Sequence, residues 1–286
     1  MSLRSLLYFH RLPPDIRRNV IRHLLFKLAG RTGNRTTKTA RNLLRIIQYL
    51  PGLRIVGQNN DEVLLQLPVQ PALMAYARTY PSSDLATLKE VWGRREYEPC
   101  LGMPGMPEIK NPLIVDIGSN VGYATLYFYH LFPDARITCV EPDAENCRQL
   151  KKNLEVNDLH HVTVIQGAWY NKHCRLEIKS DFRQGTHASY YVAESEKGYI
   201  QGLTFEELLP PDCQQVDLLK VDIEGSEQLL LEDSAIAGPI LSRVRRMAIE
   251  IHDDRADRKK ILHTLHENGF ITFSRGETTF AYRKDL

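Results

Sequence analysis

Lys220, Asp222 and Glu224 lie in the stretch L-L-K-V-D-I-E-G-S-E, residues 218–227, and Glu250 and His252 in I-E-I-H, residues 249–252. Within each stretch alternate residues share a face if the backbone is extended. Carboxylates and an imidazole gathered at neighbouring strand ends can remove a proton from a hydroxyl and steady a cation beside it. His252 is the candidate base, because an imidazole titrates near neutrality. Asp222 and Glu224 are candidates to orient an acceptor or a ligand amino group, and Lys220 to pair with a carboxylate. Glu250 inside an apolar strand is costly unless it too is paired. The plainer role for His252 is a strand-end histidine bonded to local backbone. A divalent metal held by Asp222 with Glu250 or His252 suits the donor types, but a metal-free site is the preferred reading.

A second constellation lies upstream. Residues 113–122 read L-I-V-D-I-G-S-N-V-G, an apolar run ending in a glycine turn before a helix-length segment. Strand, glycine turn and helix form the front half of a βαβ nucleotide-binding unit. The pattern D-x-G-x-x-x-G puts Asp116 where the dinucleotide fingerprint has its first glycine. An anion there disfavours a pyrophosphate and favours a cationic nucleoside, such as a sulfonium with an α-amino group. Gly118 and Gly122 would make the turn, and Ser119 and Asn120 would cover the amino-acid end of the ligand. Glu141 closes the next strand, R-I-T-C-V-E, about 20 residues on, where an acid takes ribose hydroxyls; a helix-start charge before Pro142 is the plainer alternative. Ala168 and Trp169 end a third strand near the expected base; Trp169 is read equally as a ring flanking adenine or as a core tryptophan.

The set V-D-I-G-S-N-V-G, V-E-P-D-A-E-N, L-L-K-V-D-I-E-G-S-E and I-E-I-H resembles the FkbM-type family of S-adenosylmethionine-dependent methyltransferases. The likeness runs over about residues 83–283 and does not include the first 80. It implies a class I methyltransferase fold, S-adenosyl-L-methionine as cofactor, and a hydroxyl on a sugar, glycan or polyketide-like small molecule as acceptor. It also implies that Tyr97 and its neighbours lie over the cofactor mouth, whereas on chemistry alone Tyr97 reads as a packing aromatic. Two rivals remain: a nicotinamide-dependent oxidoreductase on a related fold, and a scaffold that binds the cofactor without turnover.

Elements must hold these residues in place. Strands are expected at 112–117, 136–141, 162–168, 216–222, 245–252, 270–275 and 279–283, with helices at 121–132, 143–157, 204–209, 226–235 and 255–268. That alternation predicts an α/β fold: a doubly wound, seven-stranded, mostly parallel, Rossmann-like sheet whose last two runs form a hairpin. The rhythm breaks between 171 and 202. Strands at 174–179 and 186–192 flank a polar run, 184–189, which reads as a substrate-side wall or as a solvated hairpin. The chain is divided as residues 1–82, a helical basic extension with a short hairpin, and 83–286, the methyltransferase domain.

Composition bounds the rest. The 286 residues are 43% apolar and 25% charged, and no apolar run is long enough to span a bilayer. Five scattered cysteines without a C-x-x-C spacing fit reduced thiols and a cytoplasmic setting. The net charge of +2 hides an asymmetry. Residues 1–50 hold eleven Lys or Arg and one acid, leaving +10 there and −8 on the remainder. Ile16, Val20, Leu24 and Leu28, with Ile21 and Leu25, predict a basic amphipathic helix, and a second follows at 40–50. This arm suits peripheral contact with an anionic membrane, packing on the body or on a second copy, or a mitochondrial presequence. Packing is preferred. Without aromatic platforms or a recognisable motif, a nucleic-acid partner is not expected.

Overall fold

The structure is a computed structural model, and it describes residues 7–181 and 189–286. By compactness the chain forms two units, Met1–Arg95 with Lys152–Asp158, and Glu96–Lys151 with Leu159–Leu286.

In the first unit α1 spans Pro14–Leu28 and α2 spans Arg35–Tyr49. Proline at its first position starts α1, where a missing N–H costs nothing. The Asn34 side chain caps α2 by accepting from the Thr37 N–H at 3.0 Å. A three-stranded antiparallel sheet follows: β1 Arg54–Gln58, β2 Glu62–Gln66 and β3 Met74–Arg78. The hairpin of β1 and β2 sits around the polar run 57–61, as its turn residues predict. In strand β3, Met74, Tyr76 and Arg78 alternate with the buried Ala75 and Ala77. Asn153 and Asn157 bind the β3 backbone through Tyr76 and Met74, satisfying an edge that would otherwise be open. Helix α3, Asp84–Leu88, runs on as a single wide turn over Lys89–Gly93.

The second unit is built on a seven-stranded sheet. Its strands are β4 Leu113–Ile117, β5 Arg136–Glu141, β6 Thr163–Gln166, β11 Leu218–Val221, β12 Arg246–Glu250, β13 Phe270–Arg275 and β14 Thr278–Arg283. The order β13-β14-β12-β11-β4-β5-β6 has parallel pairs throughout except at β14. The helices are α4 Tyr123–Leu131, α5 Ala144–Glu155, α6 Glu227–Leu231, α7 Ser234–Leu241 and α8 Arg258–Glu267; the single helix expected at 226–235 is replaced by α6 and α7. This is the doubly wound fold expected of a class I methyltransferase. The chain leaves β4 toward β5 on one side, while β11 lies on the other. Ligands bind at such a reversal, beyond the carboxyl ends of the strands. Strand β4 is buried at all five residues, which suits a central parallel strand covered on both faces.

The irregular interval forms its own sheet. Strands β7 Ala168–Trp169, β8 Cys174–Asp181, β9 Ser189–Glu194 and β10 Ile200–Leu203 lie in the order β7-β10-β8-β9. The expected pair is there as β8 and β9. Strand β10 was not anticipated, because its four residues carry no periodic signal. Gln184 to Ala188, in the polar run, lie outside the described residues. Among the described residues, no helix is long and apolar enough to cross a membrane.

Candidate functional site

The glycine turn and the end of β11 are in direct contact. Gly118 has φ +73°, and a Cβ there would stand 1.7 Å from the Asp222 carbonyl oxygen. No side chain fits that space, so the D-x-G turn and the K-V-D-I-E-G stretch close on each other only through glycine. Beside them Lys220 and Asp116 form a buried pair at 3.2 Å, with side chains 3% and 0% exposed. The Lys220 ammonium donates to the carbonyls of Gly118 at 2.6 Å and Ile117 at 3.2 Å. Burial alone would lower its pKa, but the charges of Asp116 and Asp222 outweigh that and raise it. Thr125 donates to the other Asp116 oxygen at 2.7 Å. Ser119 donates to the Asp116 carbonyl at 2.6 Å and accepts from the Val140 N–H at 3.1 Å, tying β4 to β5.

Glu141 sits at the end of β5, 5% exposed. Its carboxylate accepts from the Asn120 N–H at 2.8 Å, the Asp143 N–H at 3.0 Å and the Asn146 amide at 3.3 Å. Burial nevertheless pushes its pKa up to about 7, against these three donors.

Across the turn, carboxylates surround one imidazole. Nδ1 of His252 lies 2.9 Å from Oε1 of the fully buried Glu227, which fixes Nδ1 as the donor. Nε2 faces Glu224 at 3.6 Å, Glu250 at 3.8 Å and Asp222 at 3.9 Å. These distances are too long for hydrogen bonds and short enough for strong Coulomb coupling. Burial alone would lower the His252 pKa. The Glu227 hydrogen bond and the charges of Glu227, Asp222 and Glu224 raise it to about 10. Burial, then Asp222, raises Glu250 to about 8, and the same two causes raise Glu224 to about 6. His252 and Glu250 therefore hold protons at neutral pH. Asp222, Glu250 and His252 each offer an atom within 4.8 Å of the others, a donor set that could also hold a divalent ion. Glu224 has φ +54°, a strained conformation of the kind that collects at functional sites.

The structure thus brings Lys220, Asp222, Glu224 and His252 together with Gly118, and places Asn120 and Glu141 on the far side of the same turn. Two expectations need correction, and one alternative is decided. Asp116 does not present a bare anion to a ligand: it is fully buried and neutralised by Lys220. Ser119 is 2% exposed, and its hydroxyl is spent on β4 and β5 rather than on covering a ligand. Trp169, 1% exposed, packs on Phe205 with ring centroids 5.7 Å apart, so the core alternative holds; Ala168 is buried beside it. Gly122 shapes the start of α4 against Leu150. Tyr97 is likewise buried, 5.2 Å from the Phe128 ring.

Two residues escaped sequence reasoning. Glu227 has no periodic signal, although it ends the D-I-E-G-S-E motif three residues after Glu224, the spacing that returns a side chain over a turn. Arg255 lies after the histidine strand, its guanidinium 3.7 Å from the Tyr191 ring centroid. That contact joins β9 to the loop beyond His252.

Comparison with known proteins gives a concordant result. The sequence profile described as "Methyltransferase FkbM domain" matches residues 116–272, more than half of the chain. "Methyltransferase sdnD" of Sordaria araneosa is 26% identical over 212 residues, 62% of this chain and 80% of the relative. "Methyltransferase 1" of Beauveria bassiana is 23% identical over 196 residues, 60% and 76% of the two chains. Among solved structures, Aeropyrum pernix fibrillarin in complex with S-adenosyl-L-methionine shares 15% identity at a TM-score of 0.40, over 82% of this chain and 86% of its own. That likeness adds nothing to what the sheet order already shows. With the profile spanning the glycine turn, Glu141, the Lys220–Glu227 stretch and His252, the chain belongs to the FkbM family of methyltransferases.

Proposed function

We propose that the protein transfers a methyl group from S-adenosyl-L-methionine to a hydroxyl oxygen of a sugar or polyketide-like small molecule. The observation that carries this reading is the cluster of Asp222, Glu224 and Glu250 around the His252 imidazole at the strand ends, pressed against a glycine turn with Glu141 beyond it. A bound S-adenosylmethionine supplies an electrophilic methyl on a sulfonium. The chain fits such a group: Gly118 and Gly122 leave backbone room, Glu141 offers oxygens for ribose hydroxyls, and Asp222 with Glu224 favours positive charge near the methionine end.

The acceptor must be held in line with the methyl, at about 3–3.5 Å. Its proton must leave as the new bond forms. Nε2 of His252 is the group for that proton once it has shed its own, because Glu227 keeps Nδ1 protonated and the ring oriented. Positive charge brought among the three carboxylates lowers the His252 pKa from its ligand-free value and releases that proton. The Arg255 guanidinium, 3.7 Å from the Tyr191 ring centroid, ties β9 to the loop after His252, which supports reading strands β8 and β9 as the acceptor-side wall.

Titration calorimetry with S-adenosylmethionine and with NAD tests the reading directly. Binding of the first and not the second is expected; preference for NAD ends it. Incorporation of labelled methyl into a hydroxylated sugar or polyketide acceptor, with a base-stable ether as product, tests the acceptor class.

A further inference from the structure

Helix α1 carries two apolar stripes rather than one. At about 100° per residue, Ile16, Val20 and His23 point one way, and Ile21, Leu25 and Leu28 fall within about 60° of arc on nearly the opposite side. The first stripe is buried against its own unit, with Ile16 1% and Val20 2% exposed. The second is in solvent: Ile21 is 48%, Leu25 58% and Leu28 85% exposed. Arg17 borders this outer stripe on one side, Arg18 and Arg22 on the other, and Arg31 follows the helix end. Among the described residues no carboxylate pairs with any of these arginines or with Lys27. The positive potential is felt locally. The His23 pKa is lowered by burial and then by Arg41, Lys27, Lys38 and Arg45.

We infer that the outer face of α1 docks on an anionic lipid surface. An aliphatic stripe between guanidinium groups matches a headgroup boundary, where leucines enter the acyl layer and long basic side chains reach the phosphates. Charge selects this occupant over the same face of a second copy of the chain. Eleven basic residues against one acid in residues 1–50 would set two like-charged faces against each other. It also selects a lipid over a nucleic acid, since the stripe is aliphatic and offers no ring for a base to stack on.

The test uses the full chain and co-sedimentation with phosphatidylcholine vesicles, with and without phosphatidylserine. Binding is expected only to the phosphatidylserine vesicles, weakening as salt is raised. The double variant Leu25→Glu/Leu28→Glu should lose about tenfold or more of the affinity, and Arg18→Gln/Arg22→Gln should lose most of the salt dependence. Both pairs are exposed, so circular dichroism and melting curves should match the parent protein and exclude misfolding. Absence of binding by the parent chain, or equal binding by the leucine variant, overturns the inference. So does a concentration-dependent dimer that the leucine variant abolishes, which would assign the stripe to a second copy.

Discussion

At the residue scale the site is a problem in charge. Replacing His252 with Ala should cut kcat by about 10²-fold or more, the usual weight of a positioned proton acceptor, while cofactor affinity stays within about twofold. Intact turnover would remove His252 from the mechanism. Glu227 contacts His252 Nδ1 at 2.9 Å, so its proposed role is to position the imidazole. In Glu227→Gln the imidazole loses the partner that does most to raise it, so its pKa falls from about 10 toward the ordinary value. The alkaline-rising limb of the kcat/KM profile should therefore move to lower pH, with KM little changed. A purely structural glutamate would lower activity at every pH without moving that limb. Glu141 makes the opposite kind of contribution. Its folded pKa of about 7 lies above the ordinary 4.5, so the native state keeps a proton that the unfolded chain gives up. The associated stability, of the order of 3 kcal/mol, is present below pH 4.5 and lost as the pH rises through 7. Denaturant titrations across that window should show this slope, and Glu141→Gln should flatten it. If Glu141 takes the ribose hydroxyls, as proposed, they donate to its ionised form, and cofactor affinity should rise with pH over the same interval.

At the element scale, what matters is how closely the strand ends approach. Gly118→Ala would push a methyl group into the Asp222 carbonyl and force an unfavourable positive φ on a residue with a side chain. A loss of about 3 kcal/mol or more of stability is expected, with cofactor binding falling alongside; an unaltered unfolding midpoint would contradict the observed packing. Elements were legible in the sequence where their signal is local. The continuous apolar run of β4, the period of α5 and the terminal hairpin were all readable. Strand β10 and the break between α6 and α7 were not, because a four-residue strand and a short turn leave little trace in the pattern. The limits at the site have a similar cause. Spacing placed Lys220, Asp222, Glu224 and His252 at strand ends. It could not show that Asp116 spends its charge on Lys220, since that pair joins residues about a hundred positions apart. Nor could it separate a tryptophan flanking a nucleoside from one packed on Phe205.

At the scale of the whole molecule, a basic arm and an acidic body share one chain, which forms two compact units. The residues assigned to chemistry all belong to the second unit, while the outer stripe of α1 belongs to the first. A ligand that binds only the folded second unit should stabilise it by mass action, by about 2.7 kcal/mol at a hundredfold excess over its Kd. S-adenosylhomocysteine should raise the melting temperature accordingly, in the parent chain and in Leu25→Glu/Leu28→Glu alike. A shift lost in that variant would mean that the two surfaces are not independent.

The contact between Gly118 and the Asp222 carbonyl has a kinetic corollary. If the turn backbone holds the methyl donor and Asp222 orients the acceptor, as proposed, neither can adjust for its partner without moving the other. Substrates should then add in a compulsory sequence, donor first, with the demethylated nucleoside leaving last. Product inhibition would register this as competition between S-adenosylhomocysteine and the donor, and as a mixed pattern against the alcohol.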